Sequence, residues 1–173
     1  MSCILDTGYA LGCAQTGGVK RVFIGTYDAD VKYTLDADNV ITAVVGTAPT
    51  IYPFEQNVES AGLVQNGVFS PENLTVYLES VLSIKLYHWT KELRNTYNAL
   101  AKAPVFAIVE SNMGELYLLG LESAGRASEG NLQLGVTLGD MNGANISIMW
   151  KSPNGAYLMT PDVIGDFTIG AIS

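Results

Sequence analysis

Between Val76 and Leu86 the sequence alternates without a break. Val76, Leu78, Ser80, Leu82, Ile84 and Leu86 are apolar but for the one serine, and Tyr77, Glu79, Val81, Ser83 and Lys85 stand between them. A period of two sends successive side chains to opposite faces, so the segment is a strand with one buried face and not a helix. Its eleven residues at ~3.3 Å each reach ~36 Å, well beyond the usual strand of about five or six residues. Such a strand is expected to run past a compact sandwich. Val76, Leu78, Leu82, Ile84 and Leu86 are the apolar residues of its even face.

The rest of the chain is read against this strand. Residues 1–18 are Gly-rich and weakly patterned, an expected N-terminal arm. Val19–Tyr27 has the β-branched and aromatic content of a strand. Val31–Leu35 and Val40–Val45 flank Asp36-Ala37-Asp38-Asn39, a hairpin with an acidic turn. Tyr52–Ser60 is expected as a strand and 62–73 as a polar loop. From Thr90 the period changes: Leu93, Tyr97, Leu100 and Ala101 share one helical face, Thr90 is the N-cap, Glu92 suits the first turn, and Pro104 ends the helix. Val105–Val109 is a short apolar run suited to a buried strand, and Ser111–Gly114 turns it into Glu115–Leu121. Gly125–Gly130 is expected as a flexible loop. Leu132, Leu134, Val136 and Leu138 alternate as a strand, and Ile146, Ile148 and Trp150 alternate on the way back from Asp140–Gly143.

These elements predict a mainly β fold: an antiparallel β-sandwich or barrel with one packed α-helix near 90–103. The sandwich is expected over residues 19–151. Residues 152–173 are expected as a C-terminal extension, apolar enough to dock onto something.

The composition says what such a fold is for. Charged residues are 15% and hydrophobic ones 48%, against about 25% charged in ordinary soluble domains. Charge is depleted at the cores of protein interfaces, so an oligomer is expected. The net charge is −8, with 17 acids and 9 bases. The few Lys and Arg are scattered, which argues against tight nucleic-acid binding and against an anionic membrane surface. No run of apolar residues is long enough for a transmembrane helix. Met1–Asp6 lacks the basic and apolar regions of a secretory signal, so none is expected. Cys3 and Cys13 are too few for a disulfide framework or a zinc site and are expected to stay reduced.

No constellation predicts an enzyme. Asp6-Thr7-Gly8 looks like the aspartic-protease triplet, in which two carboxylates share a proton. A single copy requires a dimer, and only five residues precede Asp6, too few for the strand that sets such a loop. A turn in the arm is the better reading. His88 is the one histidine, and it meets Ser80 or Ser83 only if the fold brings them together. Asp28, Asp30, Asp36 and Asp38 cluster around two turns. The calcium-loop pattern fails, because Ile41 stands where that loop needs glycine, so they read as solvated turn residues. No catalytic, cofactor or metal site is expected.

Several segments resemble virion structural proteins of tailed bacteriophages, notably those of Bacteroidetes. They are Thr7-Gly8, Leu11, Cys13, Gly17-Gly18-Val19-Lys20 into Val22-Phe23-Ile24, then Tyr77–Leu86, Leu100-Ala101, Pro104–Glu110, Tyr117-Leu118-Leu119-Gly120 and Gly139-Asp140-Met141-Asn142-Gly143. Residues 43–73 match least. The resemblance implies a tail-tube, neck-ring or tail-hub subunit, made in the host cytoplasm and carried in the virion. It implies rings of six or twelve copies around a DNA channel, joined by strands that pair between subunits, with Val76, Leu78, Leu82, Ile84 and Leu86 expected on such an inter-subunit strand; neighbouring tail or neck proteins are the implied partners, and DNA passes without specific binding. Asp28, Asp30, Asp36, Asp38, Glu79 and Glu115 are the acids expected to face the lumen and repel phosphate. The alternatives are a head-decoration or fibre-anchoring protein, a carbohydrate-binding sandwich using Tyr33, Tyr52 and Tyr77, and the dimeric protease.

Overall fold

The long alternating segment forms a strand from Thr75 to Tyr87 (β6) in the computed structural model, which describes residues 8–10 and 12–171. Before it come β1 (Val19–Thr26), β2 (Lys32–Leu35), β3 (Ile41–Val45), β4 (Thr50–Phe54) and β5 (Gly62–Ser70). After it come α1 (Lys91–Lys102), β7 (Val105–Ser111), β8 (Leu116–Leu119), β9 (Arg126–Gln133), β10 (Gly143–Ser152), β11 (Tyr157–Met159), a 3-10 turn (Pro161–Asp166) and β12 (Thr168–Ile169). Strand accounts for 48% against 11% helix, so the fold is mainly β, as expected.

The strands divide into two sheets. A four-stranded antiparallel sheet has the order β5-β6-β10-β9. An eight-stranded sheet has the order β12-β4-β1-β7-β8-β11-β3-β2 and curls into a half-barrel. The larger sheet is mixed, not purely antiparallel. Both of its parallel pairings, β11 with β3 and β12 with β4, come from the C-terminal segment.

β7 explains how the sheets pack. Val105, Ala107 and Val109 face the smaller sheet, in a core shared with Val22, Ile24, Leu82, Ile84, Ile146, Ile148 and Trp150. Phe106 and Ile108 point the other way, into the half-barrel with Phe23, Ile41, Ile51, Leu118 and Phe167. A strand buried on both faces reads as a continuous apolar run, which is why 105–109 shows no alternation.

The helix begins where the sequence places it. Thr90 Oγ1 accepts the Leu93 N–H at 3.1 Å, satisfying one of the free amides of the first turn. Ala103 stands extended before Pro104 and closes the helix. Leu100 and Tyr97 turn into the inter-sheet core.

Four expectations are corrected. The strand at 52–60 stops at Phe54. Pro53 is tolerated because β12 pairs with β4 only at Thr50 and Ile51, leaving that edge open further on, and Glu59 then turns the chain in a left-handed conformation (φ 59°). Residues 62–70, expected as loop, form β5 and pair with β6 from Gly62↔Ser83 to Ser70↔Thr75. An edge strand buries too little of itself for its pattern to show. Residues 126–130, also expected as loop, belong to β9, while Leu134, Val136 and Leu138, expected as strand, lie beyond it. Finally, the C-terminal segment is part of the larger sheet. Tyr157, Met159, Val163 and Phe167 are buried in the half-barrel core, so the apolar tail docks on its own chain.

Candidate assembly interface

β6 is bonded along both edges, to β5 on one side and to β10 on the other. Its even face lies inside the subunit, with Leu82 and Ile84 fully buried and Leu86 packed against the same core. Of the residues expected on an inter-subunit strand, Leu82, Ile84 and Leu86 pack inside the subunit, Leu78 is half-buried, and Val76 is exposed. The backbone groups of this strand are used internally, and its length is taken up by the long β5–β6 hairpin. Only the hairpin tip runs on: β10 ends at Ser152↔Leu78, whereas Val68, Phe69 and Ser70 continue to pair with Tyr77, Val76 and Thr75. Phe69, Leu74 and Val76 are exposed there.

Among the described residues, the unpaired edges of the smaller sheet are those of β5 and β9. All three pairings in this sheet are antiparallel, so β5 and β9 run in opposite directions. If copies stand side by side in one orientation, β9 of one and β5 of the next meet antiparallel and continue the sheet.

The outer face of this sheet is mixed: Val64, Val81 and Met149 form an apolar row across β5, β6 and β10, with polar and charged side chains on either side. Ser83 and Ser147 share a hydrogen bond at 3.0 Å, and Asn145 Nδ2 donates to Asn131 Oδ1 at 3.2 Å. The pairing register puts Glu79, Lys85, Glu129, Arg126 and Lys151 on the same face. Lys151 Nζ sits 3.0 Å from Glu79 and 5.7 Å from the centre of the Tyr77 ring. The ammonium pKa rises, first through the Glu79 hydrogen bond and then through the nearby charge.

The six acids expected at a lumen do not form one surface. Glu79 is paired with Lys151. Asp28 and Asp30 lie in the β1–β2 loop, where Asp28 Oδ1 accepts the Asp30 N–H. Asp36 Oδ1 accepts the N–H groups of Asp38 and Val40, so this carboxylate builds the β2–β3 turn. That turn shares a small cleft with Asn154 and Tyr157, which both bond Glu122. Glu115 lies at the far end of β8 and accepts from Tyr117 Oη at 2.6 Å; this hydrogen bond, followed by burial, raises the tyrosine pKa.

One ionic site was not singled out by the sequence. Glu110 ends the apolar run of β7 and is 6% exposed, beside Lys20 Nζ at 3.2 Å and in hydrogen bond with Arg21 Nε. Burial works against its ionisation, yet the hydrogen bonds and charges of Arg21 and Lys20 prevail, and its pKa lies below the ordinary value. A carboxylate closing a run of buried residues, across from a Lys-Arg pair on the next strand, is the signal that finds it.

Besides the hairpin tip, two further apolar features stand out among the described residues. The first is the β9–β10 loop, where Leu134, Val136 and Leu138 project into solvent. Its backbone is nonetheless fixed: Asp140 Oδ2 accepts the N–H groups of Val136 and Thr137, and Asn142 holds the N–H groups of His88 and Trp89. The second is an open groove of about 810 Å³ between α1, β4 and the end of β6, floored by Ile24, Phe54, Leu86, Leu93 and Leu100.

Asp6 and Thr7 lie outside the described residues, as does Cys3; Gly8 is exposed. His88 is an exposed corner residue in a left-handed conformation (φ 65°). Ser83 and Ser80 are five and eight residues back along the same strand, roughly 16 and 26 Å at ~3.3 Å per residue. Among the described residues no three His, Cys, Asp or Glu side chains converge to hold a metal ion. No helix of the described residues is long and apolar enough to cross a membrane.

No protein-family model matches this sequence, and no curated protein matches it.

Proposed function

We propose that this chain is a ring-forming structural subunit of a bacteriophage tail tube, neck or tail hub, acting by assembly and not by catalysis. The observation that carries the reading is the four-stranded sheet: among the described residues both of its edges are unpaired, and they run in opposite directions. Copies related by rotation about an axis along the strands join β9 to β5 and close a continuous barrel without reversing any strand. Exposed edges of this length are a liability in a monomer and an asset in a ring.

The channel wall this arrangement gives is neutral, not acidic. Lys85, Arg126 and Lys151 stand apart among Ser, Asn and Val side chains, with Glu79 and Glu129 on the same face, so DNA meets no cluster of cations from which counterions would be released and slides without adhering. Asp28, Asp30, Asp36 and Asp38 belong to loops of the other sheet and fall outside this wall. Phosphate repulsion is therefore assigned to the overall charge of −8 and not to a lining of acids.

Negative-stain microscopy with light scattering across concentration tests the proposal. Rings with a central hole are expected, six-fold for a tube and twelve-fold for a neck. Compact trimers without a hole would favour a head-decoration protein instead.

A further inference from the structure

Leu132, Leu134, Val136 and Leu138 carry the one-sided alternation of a half-buried strand. Only Leu132 is used that way, in β9 opposite Ala144. Val136 and Leu138 are 99% and 109% exposed, so the fold leaves the buried face of this pattern without anything to bury it. The exposure does not come from a slack loop, because Asp140 accepts the N–H groups of Val136 and Thr137, and Asn142 ties the end of the loop to His88 and Trp89. The side chains are displayed on a fixed frame.

The groove between α1, β4 and β6 is the matching deficit. Its floor is aliphatic and aromatic, while its rim carries Glu55 and Glu92 and no Lys or Arg. An acidic segment is excluded from it by like charge. Residues 133–139 carry no charge at all, and Asp140 is turned into its own loop. On a chain of net charge −8, most faces of two copies repel each other, and this loop and groove meet without opposing carboxylates. The loop cannot fill the groove of its own chain, since its apolar side chains stand free in solvent.

We infer that the β9–β10 loop of one copy seats Leu134, Val136 and Leu138 in the α1–β4–β6 groove of a second copy. The contact is heterologous, so it propagates head to tail and either closes or extends. Three side chains bury far less than the ~1,600 Å² of a standard interface, so the contact holds in an assembly or at high concentration and not as an isolated tight dimer. The inference rests on the assembly reading above only in requiring a second copy.

The test compares the full chain with Val136→Asp/Leu138→Asp, which spoils the loop, and Ala99→Trp, which fills the groove from an exposed position on α1. Thermal melts establish that both variants fold. Sedimentation equilibrium up to about 1 mM, the range in which weak contacts register, is expected to show association of the unaltered chain. Each variant alone is expected to lose at least tenfold in association constant. Mixed one to one, with one variant isotopically heavy, they are expected to regain association between unlike chains only, because an intact groove then meets an intact loop. Association unchanged in either variant overturns the inference while rings, if seen, keep the ring reading. Open chains that need both surfaces would uphold the contact and overturn the ring. A strict monomer up to that concentration overturns both.

Discussion

The indole N–H of Trp150 donates to the carbonyl oxygen of Val105 at 3.0 Å, tying the last residues of β10 to the first residue of β7 and so one sheet to the other. The same oxygen accepts the Gly125 N–H at 2.8 Å. Gly125 in turn lies flat on the indole: a Cβ there would stand 2.2 Å from the ring. Ring, carbonyl and glycine form one unit at the centre of the inter-sheet core.

Trp150→Phe removes the inter-sheet hydrogen bond and part of the ring, leaving Val105 with its bond from Gly125. A loss of about 1–2 kcal/mol is expected, of which about 1 belongs to the hydrogen bond. Trp150→Ala opens a cavity and is expected to cost about 3–5 kcal/mol. Urea midpoints at constant slope measure both; a Phe variant as stable as the parent would mean that the bond contributes nothing.

Gly125→Ala drives a methyl group into a ring that is 2% exposed and has nowhere to move. Overpacking of this kind is expected to cost about 1–3 kcal/mol. In the double variant with Trp150→Phe, the smaller ring leaves room for the methyl, so the two losses are expected to sum to less than their separate values. Strict additivity in the cycle would show that the close approach is not the cause.

What could be read in the sequence follows from burial. β6 and α1 were legible because each buries one face and exposes the other, so the period appears directly; Thr90 and Pro104 then fixed the ends of the helix. β5 and β9 were hidden because edge strands with polar faces carry little pattern, and Gly125 and Gly130, taken as flexible, are there because Trp150 and Tyr97 crowd the positions their Cβ atoms would occupy. The tail was apolar for the reason given, but no local signal says that Tyr157–Ile169 returns to β3 and β4 of its own chain. The long alternation of β6 could not distinguish a strand shared between subunits from one leg of a long hairpin. Glu110 was passed over because its partners, Lys20 and Arg21, are distant in sequence and adjacent only in the β1–β7 register.

Glu110→Gln tests the ionic site at the end of β7. The folded carboxyl has a depressed pKa, so its contribution is complete above about 4.3, the unfolded glutamate value. That contribution fades as pH falls through the lower folded value. The variant is expected to be less stable than the parent by about 1–3 kcal/mol at pH 7, toward the lower end because Lys20 and Arg21 are more than half exposed and screened by water. The difference is expected to shrink toward zero in acid. Denaturation at pH 7, 5, 4 and 3 reads it, and a difference independent of pH would assign the effect to packing instead.

The edges of the smaller sheet give the sharpest separation of stability from assembly. Val64 and Asn66 stand on the outer face of β5, opposite Val81 and Glu79, and Val64 is 57% exposed. Lysine at both positions leaves the core untouched, so the melting free energy is expected to stay within about 0.5 kcal/mol of the parent. On the free edge, however, it adds two cations beside Lys85 and Lys151, the device by which edge strands discourage pairing. The midpoint concentration for ring formation is expected to rise at least tenfold. If β5 and β9 meet across subunits, the matching change on the other edge, Asn131→Lys, raises it as well, since either side of one join suffices to open it. A response to the β5 change but not to the β9 change would place β5 at an interface of another kind, and no response to either would remove the smaller sheet from the ring altogether.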